Sequence, residues 1–364
     1  MLWAVPPVPL RGRKPAGKTK VWALDSSVAG RIARTAMRHF RVGVDNYGLY
    51  PLRLEPMQTM HWAKSHGAEG VQFSDLDPSF QEGVDAALLR DLAAFAGENN
   101  MYLEWGGAQH IPRDAGCGPA KELLAANRRV AEQAATLGTR IIRSCSGGLM
   151  RWRPESPMTE TLLQETATAL RAQKQMLLDY NVILAIETHF EFTSFELARL
   201  FERCEAYPGE WLGICLDTMN LLTMLEDPVS ASGRLLPWIV ATHIKDGGVA
   251  WTAEGFTTFP VPAGSGVIDF PAILRLLKSL AFDVTLSVEG HGGSFQLPVH
   301  DPGFLSKFPD LTAGELARLV RLAQSTAEKS GSRCSIVERD RWPDVCESRL
   351  AQDIVAMKEI AAAV

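Results

Sequence analysis

What the chain lacks narrows it first. No apolar run approaches the roughly 20 residues that a membrane-spanning helix needs, so the sequence predicts no membrane association. None of the six cysteines, Cys117, Cys145, Cys204, Cys215, Cys334 and Cys346, stands in a C-x-x-C pair, and several lie in apolar runs where a reduced thiol packs as a small hydrophobe. That usage predicts a reducing, cytoplasmic location. Low-complexity tracts and internal repeats are also missing, which argues against a solenoid or a propeller. Basic charge is scarce in most of the chain. Residues 1–41 carry nine Lys/Arg against the single acid Asp25, a local +8 within a total of −5, so the remainder stands at −13. Neutralising phosphates requires the opposite sign, so nucleic acid is an unexpected partner and a small polar molecule an expected one.

The basic start has no apolar core flanked by a small-residue cleavage site and no twin-arginine pair, so it does not read as a targeting segment. Met37 opens the run Met-Arg-His-Phe-Arg-Val-Gly-Val, which leads directly into a first strand, and residues 1–36 are therefore expected to lie outside the fold.

What is present is a composition that can bury a large core, 46% hydrophobic and 22% charged. From residue 41 onward, short apolar runs alternate with segments of helical period, the pattern of parallel βαβ units. Eight strands are predicted: Arg41–Asp45, Gly70–Ser74, Met101–Trp105, Arg140–Cys145, Val182–Glu187, Leu212–Asp217, Ile239–Ile244 and Val284–Glu289. Helices are predicted at Pro56–Ser65, Asp85–Glu98, Pro119–Leu137, Met158–Leu178, Ser194–Glu205, Pro271–Leu280 and Leu311–Lys329, with only the sixth, after Asn220, ill defined. Eight such units close as a (β/α)8 barrel, an α/β fold expected here as one domain over residues 37–330. Residues 331–364 are expected as a C-terminal helical extension, with a helix over Cys346–Val364. Whether that helix packs on the barrel or on a neighbouring subunit, in a homo-oligomer or a hetero-oligomer, is left open by the sequence.

Barrels of this kind carry their sites at the carboxyl ends of the strands. The last four strands finish Ala-Ile-Glu187, Cys-Leu-Asp217, Ala-Thr-His243 and Ser-Val-Glu289. A carboxylate ending an apolar strand is costly unless paired or coordinated, and four consecutive strand ends of metal-ligand type converge on one point. Three carboxylates and an imidazole suit Mn2+ first, with Mg2+ or Co2+ as alternatives, better than a structural zinc site of sulfur and nitrogen. Period-two alternation puts His189, Lys245 and His291 on the same side as Glu187, His243 and Glu289, where they can bind substrate or orient the ligands. Arg143 ends the fourth strand and can hold a carboxylate or phosphate, or neutralise Glu104 or another acid of the site. Two long loops, Asp246–Val267 and Gly290–Asp310, carry Trp251, Phe256, Phe259, Phe295, Phe304 and Phe308. They serve either to stack on a ligand over the mouth and exclude water, or to form a small satellite core within the loops or a subunit interface.

Glu187, Asp217, His243 and Glu289, together with His243-Ile-Lys245-Asp246 and Gly264-Ser-Gly266-Val-Ile-Asp269-Phe, resemble the xylose isomerase-like TIM-barrel superfamily over roughly residues 41 to 330. The resemblance implies a sugar isomerase or epimerase in which Glu187 and Glu289 bind the metal with one oxygen and act as base and acid with the other. Chelation of a carbonyl oxygen and its neighbouring hydroxyl stabilises the enolate left when an adjacent C–H is broken.

Departures from the family also inform. Zinc phosphodiesterases of this superfamily use additional histidines, whereas here the second strand ends Gln72-Phe-Ser74, the third ends Glu104-Trp-Gly-Gly, and Asn220 stands three residues after Asp217. A DNA-repair role is thereby disfavoured, and Asn220 joins the candidate substrate-binding residues. The arginine that ketose epimerases place after the histidine is replaced by Lys245-Asp246. The expected reaction is thus metal-dependent isomerisation or epimerisation of a keto-sugar through an enediolate. The alternative is a lyase acting on a 3-keto sugar, keto-glycoside or sugar acid through the same enolate. A non-catalytic metal-stabilised barrel is a third reading.

Overall fold

The computed structural model describes residues 39–74, 76, 83–114, 117–120, 122–330 and 336–364. The extension expected over residues 1–36 lies outside the described residues. The strands are β1 (Val42–Asp45), β2 (Gly70–Phe73), β3 (Tyr102–Ala108), β4 (Ile141–Ser144), β5 (Ile183–Glu187), β6 (Leu212–Asp217), β7 (Ile239–Ile244), β8 (Asp246–Thr252), β9 (Gly255–Val261), β10 (Leu286–Val288) and β11 (Phe295–Leu297). Eight of them close a parallel barrel in the order β1-β10-β7-β6-β5-β4-β3-β2, and β11, β9 and β8 form a separate antiparallel sheet. Each run read from the sequence as a strand holds one barrel strand. β3 continues three residues further than expected, and β10 is shorter at both ends.

The barrel strands are apolar because both of their faces are covered. Every residue of β2, β5, β6 and β7 is buried. Inside the barrel, Gly43 and Gly70 leave room for the Tyr102 ring. A Cβ on Gly70 would fall 2.1 Å from that ring and one on Gly43 would fall 2.3 Å from its hydroxyl oxygen. Tyr102 reaches across to Ser287 of β10, Oη to Oγ 2.9 Å, so the floor is plugged by one aromatic side chain. Polar residues begin above it.

The covering helices are α1 (Pro56–Ser65), α2 (Ala86–Glu98), α3 (Leu123–Leu137), α4 (Thr159–Asp179), α5 (Ser194–Arg203), α6 (Asn220–Thr223), α7 (Pro228–Leu235) and α8 (Phe270–Lys278). Their starts follow capping chemistry: Asp85 accepts from Ala87 and Leu88 N–H, and Thr193 with Glu196 forms a capping box on α5. The ill-defined sixth helix is two pieces, α6 and α7. The second is set by Asp227, which accepts from Ser230 N–H, and by Pro228 at the first helical position.

Three short or late helices complete the chain: α9 (Pro302–Leu305), α10 (Ala313–Ser330) and α11 (Trp342–Ala362). The terminal helix packs on the barrel of its own chain. Trp342 is 1% exposed and its indole N–H donates to the Gly48 carbonyl oxygen at 2.9 Å, Glu347 accepts from the Trp62 indole at 3.0 Å, and Asp353 accepts from Ala263 N–H at 2.8 Å. Helix α10 instead covers the small sheet, with Thr326 Oγ1 accepting from Val249 N–H at 3.0 Å.

One expectation is corrected. Residues 246–267 are not a long irregular loop but a hairpin, β8 paired with β9 from Asp246 opposite Val261 to Thr252 opposite Gly255. Asp246 fastens its base, accepting from Gly247 and Gly266 N–H at 2.8 Å each and from Ile268 N–H at 3.3 Å. Gly266 is required there, since a Cβ would meet the Asp246 carboxylate at 2.1 Å. Among the described residues no helix is long and apolar enough to cross a membrane.

Candidate metal centre

Strand register brings the site together. Asp217 pairs directly with His243 across β6 and β7, Glu187 lies opposite Cys215, two residues before Asp217, and Ser287 lies opposite His243, so Glu289 stands two residues beyond that level. With inward faces repeating every second residue, four neighbouring strands deliver Glu187, Asp217, His243 and Glu289 to one end of the barrel. Each offers a ligand atom, and these atoms all lie within 4.8 Å of one another. All four side chains are at most 5% exposed.

The donor chemistry fits a hard or borderline divalent cation. His243 Nε2 contacts the Gln72 side-chain oxygen, which leaves Nδ1 facing Glu187 Oε1 at 3.3 Å and Glu289 Oε2 at 3.4 Å. With the proton on Nε2, three lone pairs converge there, an arrangement that only a cation or a further proton relieves. Asp217 Oδ2 and Glu289 Oε2 are buried without a well-directed hydrogen bond, although the Lys245 ammonium stands 2.9 and 2.7 Å from them. The remaining oxygen, Asp217 Oδ1, is used by the backbone, accepting from Met219 and Asn220 N–H at 2.9 and 2.8 Å.

The electrostatics follow from burial and from those neighbours. Burial alone would lower the His243 pKa, but the acidic groups around it raise it well above its ordinary value. Of these the Asp45, Glu187 and Glu289 carboxylates carry the effect, because burial keeps the nearby Cys215 thiol protonated, pushed up to about 11. Glu187 is opposed by burial yet held well below the usual carboxylate range by Arg143 and His243. Glu289 is held low by Lys245 and His243 against the same penalty. For Asp217 burial prevails over Lys245, and its carboxyl is raised to about 6. Burial and the adjacent Lys245 push His291 down to about 4, so its imidazole is neutral.

The other residues singled out from the sequence gather around this group. Arg143 pairs with Glu187 Oε2 and not with Glu104. Asn220, on α6, donates to the Thr188 carbonyl oxygen at 3.2 Å and lies 3.5 Å from Glu187 Oε1. Lys245 also lies 3.1 Å from His291 Nε2. His189 turns Nδ1 to Ser146 Oγ at 3.0 Å and to Glu191 Oε2 at 3.6 Å. The loop aromatics are mostly packed away and not over the mouth: Phe256, Phe259, Phe304 and Phe308 are buried, Phe256, Phe304 and Phe308 are continuous with the main hydrophobic core, and Trp152 joins Phe190, Phe304 and Phe308 at centroid distances of 5.9–6.4 Å. Trp251, at 50% exposure, projects from the hairpin.

Several further residues gather here that the sequence did not put forward as ligands or substrate-binding groups. Asp45 and Ser74 bind each other behind His243, with Asp45 Oδ2 3.5 Å and Ser74 Oγ 3.2 Å from its Nε2. Glu104 holds the Gln72 amide and the Thr285 hydroxyl. Glu191 joins two histidines, accepting from His110 Nε2–H at 3.0 Å while its other oxygen faces His189. Tyr47 presents its ring to the edge of His291, centroids 6.2 Å apart. Asp45 had a usable signal, since it ends a barrel strand as Glu187 and Asp217 do. His110 and Glu191 lie beyond strand ends, where period two gives no direction.

Comparison with known proteins places the chain. The family described as xylose isomerase-like TIM barrel matches residues 60–319. Among curated proteins none matches it in sequence. Solved structures with the same fold include L-ribulose 3-epimerase, with 16% identity, a TM-score of 0.56 and coverage of 89% of this chain and 95% of that one. The IolI protein with a bound zinc atom has 17% identity, a TM-score of 0.54 and coverage of 81% and 100%. The probable 3-DHS dehydratase AsbF of Bacillus anthracis has 17% identity, a TM-score of 0.52 and coverage of 76% and 97%.

Proposed function

The chain belongs to the xylose isomerase-like TIM-barrel family, and from that premise we propose that it is a divalent-metal-dependent isomerase or epimerase of a keto-sugar, with Mn2+ as its ion. The observation that carries this reading is the convergence of Glu187, Asp217, His243 and Glu289 within 4.8 Å. These four would hold the ion, and Mg2+ or Co2+ would fit the same oxygen-rich donor set. When bound, the ion supplies Lewis acidity toward a substrate carbonyl oxygen.

The protein's own groups then move the proton. Glu187 and Glu289 are both ionised, so either can take a proton from the carbon beside the carbonyl without first losing one. The C–H electron pair passes into the enediolate, and the carboxyl that took the proton returns it to the neighbouring carbon to give the isomer, leaving both glutamates ionised as at the start. Inversion at one carbon instead requires the opposite glutamate to have taken a proton from solvent beforehand. Arg143 and Lys245 offset the negative charge around those carboxylates. Asn220 holds the turn after Asp217, His189 faces substrate hydroxyls, and His291 accepts from the Lys245 ammonium. The lyase alternative gains less support, because Arg143 would have to leave Glu187 to hold a substrate carboxylate. A cytoplasmic setting rests on the five described cysteines, Cys117, Cys145, Cys204, Cys215 and Cys346, being free thiols.

The test is exchange of the substrate α-proton with D2O, followed by NMR across a panel of ketoses and 3-keto sugars with MnCl2 present. Metal-dependent exchange with an isomer as product is expected. Exchange accompanied by an eliminated or decarboxylated fragment would replace this reading with the lyase.

A further inference from the structure

Lys245 is a buried lysine, 3% exposed, whose ammonium meets three acceptors: Glu289 Oε2 at 2.7 Å, Asp217 Oδ2 at 2.9 Å and His291 Nε2 at 3.1 Å. The two carboxylate oxygens are those without a well-directed hydrogen bond. The third acceptor has a defined state. His291 Nδ1 lies 2.9 Å from the Gly292 carbonyl oxygen, which accepts its N–H and leaves Nε2 as a lone pair aimed at the ammonium. One lysine thus has two seats, a carboxylate pair inside the metal group and an imidazole lone pair beside it.

We propose that Lys245 is a resident cation that a divalent ion must displace from Asp217 and Glu289, and that His291 is the positioning residue that receives the displaced ammonium. The inference rests on the metal reading above. A divalent ion binds carboxylate oxygens at roughly 2.0–2.2 Å. An ammonium still bridging the same two oxygens would then stand within a few ångströms of a doubly charged neighbour in a water-poor site, where repulsion is strong. It cannot simply be released into an apolar surround, because a buried ammonium without an acceptor is costly. His291 Nε2 is already in contact, so the ammonium can give up both carboxylates without losing its last partner. Before the ion enters, the same lysine keeps the acidic strand ends from repelling one another.

Calorimetric titration of MnCl2 into the full chain, stripped with EDTA and dialysed, tests this without any substrate. Lys245→Met is expected to bind Mn2+ about tenfold or more tightly than the wild type, and to melt lower when ion-free. His291→Leu keeps the ammonium on the carboxylates but removes its second seat, so it should bind Mn2+ about tenfold more weakly, with an ion-free melting temperature near that of the wild type. In the double variant the His291 effect should vanish, since there is no ammonium to receive. Equal or weaker binding by Lys245→Met, or a His291 effect that persists without the lysine, overturns the proposal. If Lys245→Met does not fold without ion, His291→Leu decides alone, and an unchanged affinity overturns it. Mn2+ bound equally by all variants contradicts the proposal and leaves the metal reading standing, whereas no binding by any of them contradicts both.

Discussion

Gln72 offers its side-chain carbonyl oxygen to His243 Nε2 across the barrel interior, and its amide N–H is taken by Glu104. The amide is thereby oriented by a carboxyl group, and the imidazole by the amide. That fixes a proton on Nε2 and turns Nδ1 to Glu187 and Glu289, where a bound ion would replace the second proton that those carboxylates favour. Gln72→Leu removes the acceptor and is expected to weaken Mn2+ binding by about 10- to 100-fold in calorimetry, with the far-UV circular dichroism unchanged. An unaltered affinity would mean that Asp45 and Ser74 suffice to hold the ring.

Glu187→Gln keeps the shape of the side chain but removes a ligand charge and a proton acceptor. Exchange of the substrate α-proton with D2O should fall by at least about 100-fold. The barrel should remain folded, because Arg143 can still donate to the amide oxygen. Near-normal exchange would remove Glu187 from the proton-transfer pair.

Glu104 links stability to pH. Burial, opposed by hydrogen bonds from Thr285 and Gln72, raises its carboxyl from 4.5 to about 7. Between those values the folded chain keeps a proton that the unfolded chain has shed. Its contribution to stability is therefore full below about pH 4.5 and is lost as pH rises through about 7. Denaturant unfolding at intervals from pH 5 to pH 7.5 should show the wild type losing stability relative to Glu104→Gln, by something on the order of 2–3 kcal/mol across the window. Parallel pH profiles for the two chains would contradict this. Asp246 and Asp217, both raised to about 6, titrate in both proteins and cancel in the difference.

Trp342 ties the terminal helix to the site. Its ring packs on Gly290, one residue after Glu289, where an added Cβ would come within 2.9 Å of the indole, and its N–H binds the Gly48 carbonyl oxygen. Trp342→Ala should cost about 3–5 kcal/mol in denaturant unfolding. A loss below about 1 kcal/mol would show that α11 is held by its other contacts.

The barrel and its four converging side chains were legible because buried parallel strands are apolar along their length and stop at a polar residue, so Glu187, Asp217, His243 and Glu289 mark their own strand ends. The hairpin was not legible, for a local reason. Gly247, Gly248, Pro260 and Pro262 carry loop signals, and Gly255–Val261 does not alternate. The structure accommodates Pro260 where β9 pairs with Gly247 of β8, beyond the short reach of β11 on its other side. Asp45 carries a strand-end signal, whereas nothing local joins Gln72, Ser74 and Glu104 to His243, since they come from β2, the residue after it and β3, far in sequence from the histidine they support. His110 and Glu191 meet through tertiary contact alone. Nor does helical period say which of the two late helices meets β1: the helix read at Leu311–Lys329 is there as α10, but it covers the small sheet while α11 packs beside β1.

Anomalous diffraction from crystals of the full chain grown with MnCl2 tests the central claim most directly. One strong manganese peak is expected, bonded to Glu187, Asp217, His243 Nδ1 and Glu289. A peak elsewhere, or these four side chains turned away from a common point with Mn2+ in excess, would contradict the account.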